Sequence, residues 1–407
     1  MAGRDSGPVR TYREIFSVAE FRALFAGNAA SIAGMTMQAL ALSSLVYART
    51  GSAFLSALAY LGGFLPQAIG AATLLSLADR VRPRRFLVLS AGVRAVIAFV
   101  LAEAGLPVWA LLTLIMAAGV FTALDGAVRS AVLVDVLPRD GYVLGRSVLN
   151  LSVGAMQIAG FGIAGVLLNT VGPRPTLLAS CALAVVTAVV TRCTLSARPS
   201  RTSGSGTVAA TVRGNRILLG RRLTRNLLLA MWVPNGLIIG AEALYIPYAG
   251  KGAGAMFVAA ACGMLIGDVV IGRWVAASTR VRLITPLRVL LALPYLAFSL
   301  HPELWAASAI VLVASFGFSG SLGLQDRFVT AVPESIRGQA LGLAGTGMTT
   351  AQAVAALLTG MLADVLSPGS TMAIAAITSL AVTVMLIPGL RVQPRQGTDA
   401  PSAPARS

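Results

Sequence analysis

Charge is what this sequence has least of. Only 12% of its 407 residues are Asp, Glu, Lys or Arg, 56% are apolar, and the mean hydropathy is +0.81. A soluble chain of this length carries about twice that charge on its surface, so a soluble globular protein is excluded. Histidine is nearly absent, with His301 alone, and the three cysteines (Cys181, Cys193 and Cys262) lie in or beside apolar runs with neither metal-ligand spacing nor pairing. That argues against a zinc or haem site and against a disulfide framework; the cysteines read as small core residues. Acids are scarce, 15 against 32 basic residues, and Lys251 is the one lysine. A net charge of +17 invites a nucleic-acid reading. The arginines, however, sit at the ends of apolar runs and form no basic face interleaved with aromatics, so they read as topology-setting charge and no nucleic-acid partner is expected. No acidic metal cluster, nucleophile with a base, or Gly-rich phosphate loop is present. Neither an enzyme nor a cofactor is expected.

What the chain does have is apolar runs of membrane-crossing length from end to end. Twelve spans are predicted, at 22–48, 52–77, 85–105, 107–128, 143–170, 174–195, 226–249, 254–275, 283–301, 303–325, 338–364 and 369–390. The polar start carries Arg4, Arg10 and Arg13, and the run after it is too long for the core of a cleavable signal. With both termini inside, the six outward loops hold only Arg49, Arg174 and Lys251 of the 32 basic residues, as the positive-inside rule requires. The expected place is the inner (plasma) membrane, crossed many times, with both termini cytoplasmic.

The predicted organisation is a cytoplasmic segment 1–21, a six-helix bundle 22–195, a basic linker 196–225, a second six-helix bundle 226–390 and a disordered cytoplasmic tail 391–407. The linker opens on "RPSRTSGSG" and holds seven arginines and no acid, which favours contact with anionic lipid of the inner leaflet. The halves echo one another: Pro138, Gln157 and Gly165 recur 195 residues on as Pro333, Gln352 and Gly360. Two six-helix repeats joined by a basic loop is a transporter layout. The fold class expected is therefore an all-α polytopic membrane protein of two pseudo-symmetric six-helix bundles.

A few polar residues interrupt the apolar runs. Glu242, in "IIGAEALYIPYAG", lies 17 residues past Arg225, about 25 Å along a helix. An intramembrane acid is costly to keep and is a functional candidate by default. Proton coupling and recognition of a cation are its two functional readings, and a hydrogen-bonded glutamate near the outer mouth is the structural one. Asp125 and Arg129 are four apart, so they share a helix face and can pair. Arg94 can reach inward by snorkelling. Asn28, Gln38, Asn235, Gln157 and Gln352 are amides within spans, where interhelical hydrogen bonds are the plain explanation. Trp232, Tyr245 and Tyr248 suit a cavity for flat apolar ligands, though such residues also mark membrane interfaces.

The stretch "LADRVRPRR" at 77–85 packs one acid and four arginines between two apolar runs. It resembles the loop motif of the major facilitator superfamily, G-x-L-a-D-R-x-G-R-R, with Asp79, Arg80, Arg84 and Arg85 at its charged positions. Leu75 stands at the motif's first glycine, and Arg82-Pro83 replaces its Gly-Arg step. The region 123–152 is similar to the fourth and fifth helices of drug and macrolide exporters. The resemblance implies a cytoplasmic gate in which Asp79 meets the N-terminal end of the eleventh helix, joined by Asp125 and Arg129. It implies that the first, fourth, seventh and tenth helices line a central cavity, which makes Asn28, Gln38 and Asn235, with Trp232 and Tyr245, substrate candidates. It also implies that the glycine-rich second and fifth helices meet the eleventh and eighth across the halves. "GFGIAG" at 160–165 departs from the antiporter signature, with Phe161 at its proline and Ala164 at one glycine.

The function this implies is a secondary transporter exporting small amphipathic molecules, drug- or macrolide-like, by alternating access with proton antiport. Its partners would be a small-molecule substrate, protons and membrane lipids, and it would work as a monomer. An uncoupled facilitator or importer of a polar solute is one alternative, and a non-transporting membrane partner protein is another.

Overall fold

A computed structural model describes residues 11–68, 70, 81–137, 139–199, 215–333 and 336–390. Among these residues there is no strand. The described residues begin with a short helix α1 (Tyr12–Ser17), closed by a capping box in which Thr11 and Glu14 satisfy each other's backbone N–H. The main helices of the first set are α2 (Ala19–Thr50), α3 (Ala53–Leu61), α4 (Pro83–Glu103), α5 (Val108–Val136), α6 (Arg139–Thr170) and α7 (Pro173–Thr194). The second set comprises α8 (Arg222–Glu242), α9 (Tyr245–Ala249), α10 (Ala253–Trp274), α11 (Ala277–Ala292), α12 (Leu304–Phe316), α13 (Gly320–Ala331), α14 (Arg337–Ala363) and α15 (Pro368–Leu390).

The helix ends follow from local chemistry. Proline opens α4 and α7, where a missing N–H is harmless. Gly51 ends α2 in the left-handed region at φ +65°, returning its N–H to Tyr47 O. Ser52 then caps α3, accepting from Leu55 N at 3.2 Å.

Among the described residues, ten helices are long and apolar enough to cross a membrane, against the twelve spans predicted. The segment Arg222–Trp274 counts as one in that tally, yet it breaks after Glu242 and again at the 3₁₀ turn Gly250–Gly252, giving α8, α9 and α10. The predicted span 52–77 begins as the shorter apolar helix Ala53–Ala68 and then passes outside the described residues. The predicted span 283–301 starts earlier, at Ala277, and tightens into a 3₁₀ run, Leu293–Leu300. Pro294 explains the change, because its ring cannot fit the regular α ladder.

Within the first set, α2 packs on α6 and α7, and α4 on α7; within the second, α8 packs on α14 and α15, and α10 on α12. The two sets meet where α6 crosses α10 and where α3 crosses α14. Glycine permits both crossings: a Cβ on Gly254 would stand 2.7 Å from Gly165 Cα, and one on Gly360 2.8 Å from Phe54 Cα. Other glycines pack inside their own set, Gly63, two residues past α3, against Gly119, and Gly267 of α10 against Phe316. Polar bonds reinforce the crossings at the end of the molecule that carries residues 51, 172, 252 and 364. Asn169 donates to Lys251 O at 3.1 Å. Asp364 accepts from Ser52 Oγ at 2.8 Å, Ala53 N at 2.5 Å and Phe54 N at 3.4 Å.

The predicted linker lies partly outside the described residues. Its first residues are tied back to α2, with Ser196 N donating to Glu20 at 2.7 Å and Arg198 pairing with Glu20 at 2.5 Å.

Candidate functional site

A cavity of about 410 Å³ opens among α2, α3, α4, α5 and α6, and every residue lining it belongs to the first set. Most of its wall is apolar. The interrupting residues of the sequence supply much of its polar lining, Asn28 and Gln38 on α2, Gln157 on α6, and the charged trio Arg94, Asp125 and Arg129. Gln67 beyond α3, which the sequence reading did not single out, adds a fourth amide, and Ser31, Thr36 and Thr122 add hydroxyls.

Helical spacing builds half of the trio. Asp125 and Arg129 are one turn apart on α5, and Arg129 Nε donates to Asp125 Oδ2 at 2.7 Å. The other half comes from α4, which brings Arg94 Nη2 to 3.9 Å from Asp125 Oδ1. Arg94 and Asp125 are only 7% and 5% exposed. Arg94 Nη1 also points at Met35 Sδ, 3.5 Å away, a weak acceptor. Burying two guanidinium groups and one carboxylate is expensive unless their hydrogen-bonding capacity is met. Here it is not fully met: Arg94 Nη2, Arg129 Nη2 and Asp125 Oδ1 have no hydrogen-bond partner. Asn28 reaches Ser152 Oγ on α6 at 3.4 Å, so α2 and α6 are joined across the cavity wall.

Glu242 is the last residue of α8 and is 3% exposed, with Oε1 unpartnered. It interacts electrostatically with the phenols of Tyr60, Tyr245 and Tyr295. Tyr60 lines the cavity and Glu242 does not. Tyr245 is fully buried, its hydroxyl 2.5 Å from that of Tyr295, with Phe257 packed against its ring.

The remaining candidates lie elsewhere. Trp232 donates from Nε1 to Ala344 O at 2.9 Å and covers Gly347. Asn235 is buried between α8, α11 and α13: its Oδ1 accepts from Arg288 Nη1, and its Nδ2 donates to Ser321 Oγ at 3.2 Å. Arg288, 3% exposed, was not among the residues the sequence singled out. Its signal was there, as an arginine in the interior of the apolar stretch 283–301. Of the charged loop, Asp79 and Arg80 lie outside the described residues. Arg84 donates to Arg192 O at the end of α7, at 2.5 Å, and Arg85 is exposed.

Among the described residues, no cluster of His, Cys, Asp and Glu could hold a metal ion. The site offers a pocket with fixed charges and no reacting pair, which suits binding and release over bond-making.

A search among curated proteins finds no relative of significant similarity. Solved structures share the fold at low identity. The nucleoside transporter NupG, in a mutant form, superposes with a TM-score of 0.71 at 10% identity, covering 91% of this chain and 99% of its own. A POT family transporter in complex with 5-aminolevulinic acid gives 0.72 at 10% identity, covering 92% and 97%. The xylose transporter XylE from E. coli, in an inward open conformation, gives 0.67 at 14% identity, covering 92% and 96%. The sequence pattern of the Major Facilitator Superfamily matches residues 24–324. With those residues and that fold, the chain belongs to the Major Facilitator Superfamily and is a membrane transporter, not an enzyme.

Proposed function

We propose that this transporter exports small amphipathic organic molecules, drug- or macrolide-like, by alternating access, with proton antiport as the driving force. The observation that carries the reading is the cavity of about 410 Å³, mostly apolar and furnished with a few fixed polar groups, which is the usual composition of a site for drug-sized ligands. One side of it bears the charged trio, and another reaches Tyr60, whose neighbour Glu242 is a buried acid in the position expected of a proton carrier. With both termini in the cytoplasm, the end joined by Asp364 and by Gly165 on Gly254 is the outer one. The cavity is then closed to the outside, the state in which an exporter loads its cargo.

Inverted membrane vesicles with a pH-sensitive dye test the proposal. Once energised, they should release protons on addition of amphipathic compounds, and Glu242→Gln should abolish the release while the protein stays folded. Release unchanged by the mutation would move the coupling elsewhere, with Asp125 next. No proton movement with any transported compound would refute the antiport.

A second reading has an observation of its own. Four amides and three charged residues in one cavity suit an uncoupled facilitator or importer of a polar solute, and the altered antiporter signature at 160–165 agrees with it. That reading predicts uptake down a gradient that is indifferent to the proton gradient.

A further inference from the structure

The three charged groups facing the cavity do not cancel. Arg94 and Arg129 bring two guanidinium groups, and Asp125 is the only acid among the described residues that lines it. Three other acids are engaged in ion pairs elsewhere, Glu20 with Arg198, Glu103 with Arg174 and Asp326 with Arg280. Asp125 is already shared, with one oxygen on Arg129 and the other facing Arg94. A cationic ligand would therefore meet two fixed positive charges and a carboxylate that is already engaged. An anionic group meets the opposite situation. Arg94 Nη2 and Arg129 Nη2 are buried with no hydrogen-bond partner, and a planar guanidinium fork is the side chain best shaped to receive a carboxylate, sulfonate or phosphate. At low local dielectric the excess of one positive charge acts over the whole cavity.

We propose that the cavity takes amphipathic molecules whose charged group is an anion, received by Arg94 and Arg129 while an apolar body lies against the remaining wall. Zwitterions fit the same description if their anionic end enters first. The inference rests on the reading of this cavity as the ligand path, and it narrows the cargo to organic acids.

The test is a charge ladder on one ring system. Equilibrium dialysis of the purified full-length protein would compare 2-naphthoate, 2-naphthalenesulfonate, neutral 2-naphthamide and cationic 2-naphthylmethylamine at up to millimolar concentration. Wild type should bind the two anions on the order of tenfold more tightly than the amide, and the amine most weakly. Arg94→Gln and Arg129→Gln should each weaken the anions by about tenfold and leave the amide unchanged. Asp125→Asn should strengthen the anions. Gel filtration and thermal melting check that each variant folds, and the two arginine variants keep the test alive if Asp125→Asn does not. A purely structural trio would move anion and amide together, which would overturn the proposal. An amine that binds best in wild type, and is pumped by vesicles, would overturn it while leaving the exporter reading intact. If no probe of any charge binds, the cavity is not the ligand site and both readings fall.

Discussion

Removing the Asp364 carboxylate should loosen one end of the molecule. Asp364 sits at the C-terminal end of α14, beyond Ala363, and reaches the first turn of α3, more than 300 residues away in sequence. One oxygen accepts from Ala53 N and Phe54 N, and the other from Ser52 Oγ. The first N–H groups of a helix have no partner inside it and carry its positive end. Asp364 thus serves as a cap for α3 supplied by the other set of helices, and only while the two sets touch. A lost cap costs ~0.5–2 kcal/mol. Hydrogen bonds to a charged acceptor are worth ~1.5–3 kcal/mol when buried, but Asp364 is exposed and water screens part of that. A net figure of about 1–2 kcal/mol follows, a factor of about 5–30 in the equilibrium between the closed and parted arrangements of this end. Spin labels on cysteines at Ala48 and Val365 would read the separation, with Cys181, Cys193 and Cys262 first replaced by alanine. In Asp364→Ala, the longer-distance population should grow by that factor. Asp364→Asn, which keeps one acceptor oxygen and loses the charge, should fall between. Ser52 retains its own bond from Leu55 N, so α3 itself should stay folded. A distance distribution in Asp364→Ala identical to wild type would refute the reasoning.

Gly254→Val should force the same end apart, because a Cβ there would stand 2.7 Å from Gly165 Cα; overpacking costs ~1–3 kcal/mol, and the 48–365 distance should lengthen without loss of helix by circular dichroism. Trp232→Phe removes the Nε1 bond to Ala344 O and should lower stability by about 1 kcal/mol in thermal melts. Glu103→Gln breaks the two-pronged pair with Arg174, yet both groups lie in solvent, so the melting temperature should not move. Asn235→Ala leaves the Arg288 guanidinium without its buried acceptor and should destabilise by roughly 1–3 kcal/mol, whereas Arg288→Met, which removes the charge too, should be near neutral or stabilising.

The features legible in sequence were those set by neighbours along the chain. The predicted spans starting at 85 and 174 open in the structure at Pro83 and Pro173, and the four-residue spacing of Asp125 and Arg129 is the bond observed. Asn28 and Gln38 stood out as amides in an apolar run, and both line the cavity. What periodicity misses is the partner brought from another helix. Asp364 reads as an ordinary solvated charge at a helix end until α3 is placed beside it. Arg288 reads as one more arginine until Asn235 and Ser321 close around it. Breaks inside apolar stretches are also faint, since hydropathy is blind to backbone geometry. Glu242 ends α8 with apolar residues on both sides, and Pro294 tightens α11 into 3₁₀ turns with no change in hydropathy.

The 195-residue offset that relates Gly165 to Gly360 carries Arg94 and Asp125 to within one residue of Arg288 and Ser321. In each set, then, a buried arginine leans toward the same place on a neighbouring helix, and the two sets treat it differently. In the second set a hydroxyl stands where the carboxylate would be, Asn235 supplies the acceptor, and the adjoining pocket is about 10 Å³. That guanidinium is held by neutral groups in a space too small for any ligand. In the first set the acid is kept, a second arginine joins it one turn along, and the cluster faces about 410 Å³. A duplicated fold needs mirrored packing to rock, but it does not need mirrored chemistry. Gly165 and Gly360, equivalent by that offset, stand one at each crossing, where the proposed alternating access needs both sets to approach and part. The charges are free to diverge, and under the proposed reading of the cavity that divergence leaves recognition to the first set, with the second as the surface against which it moves.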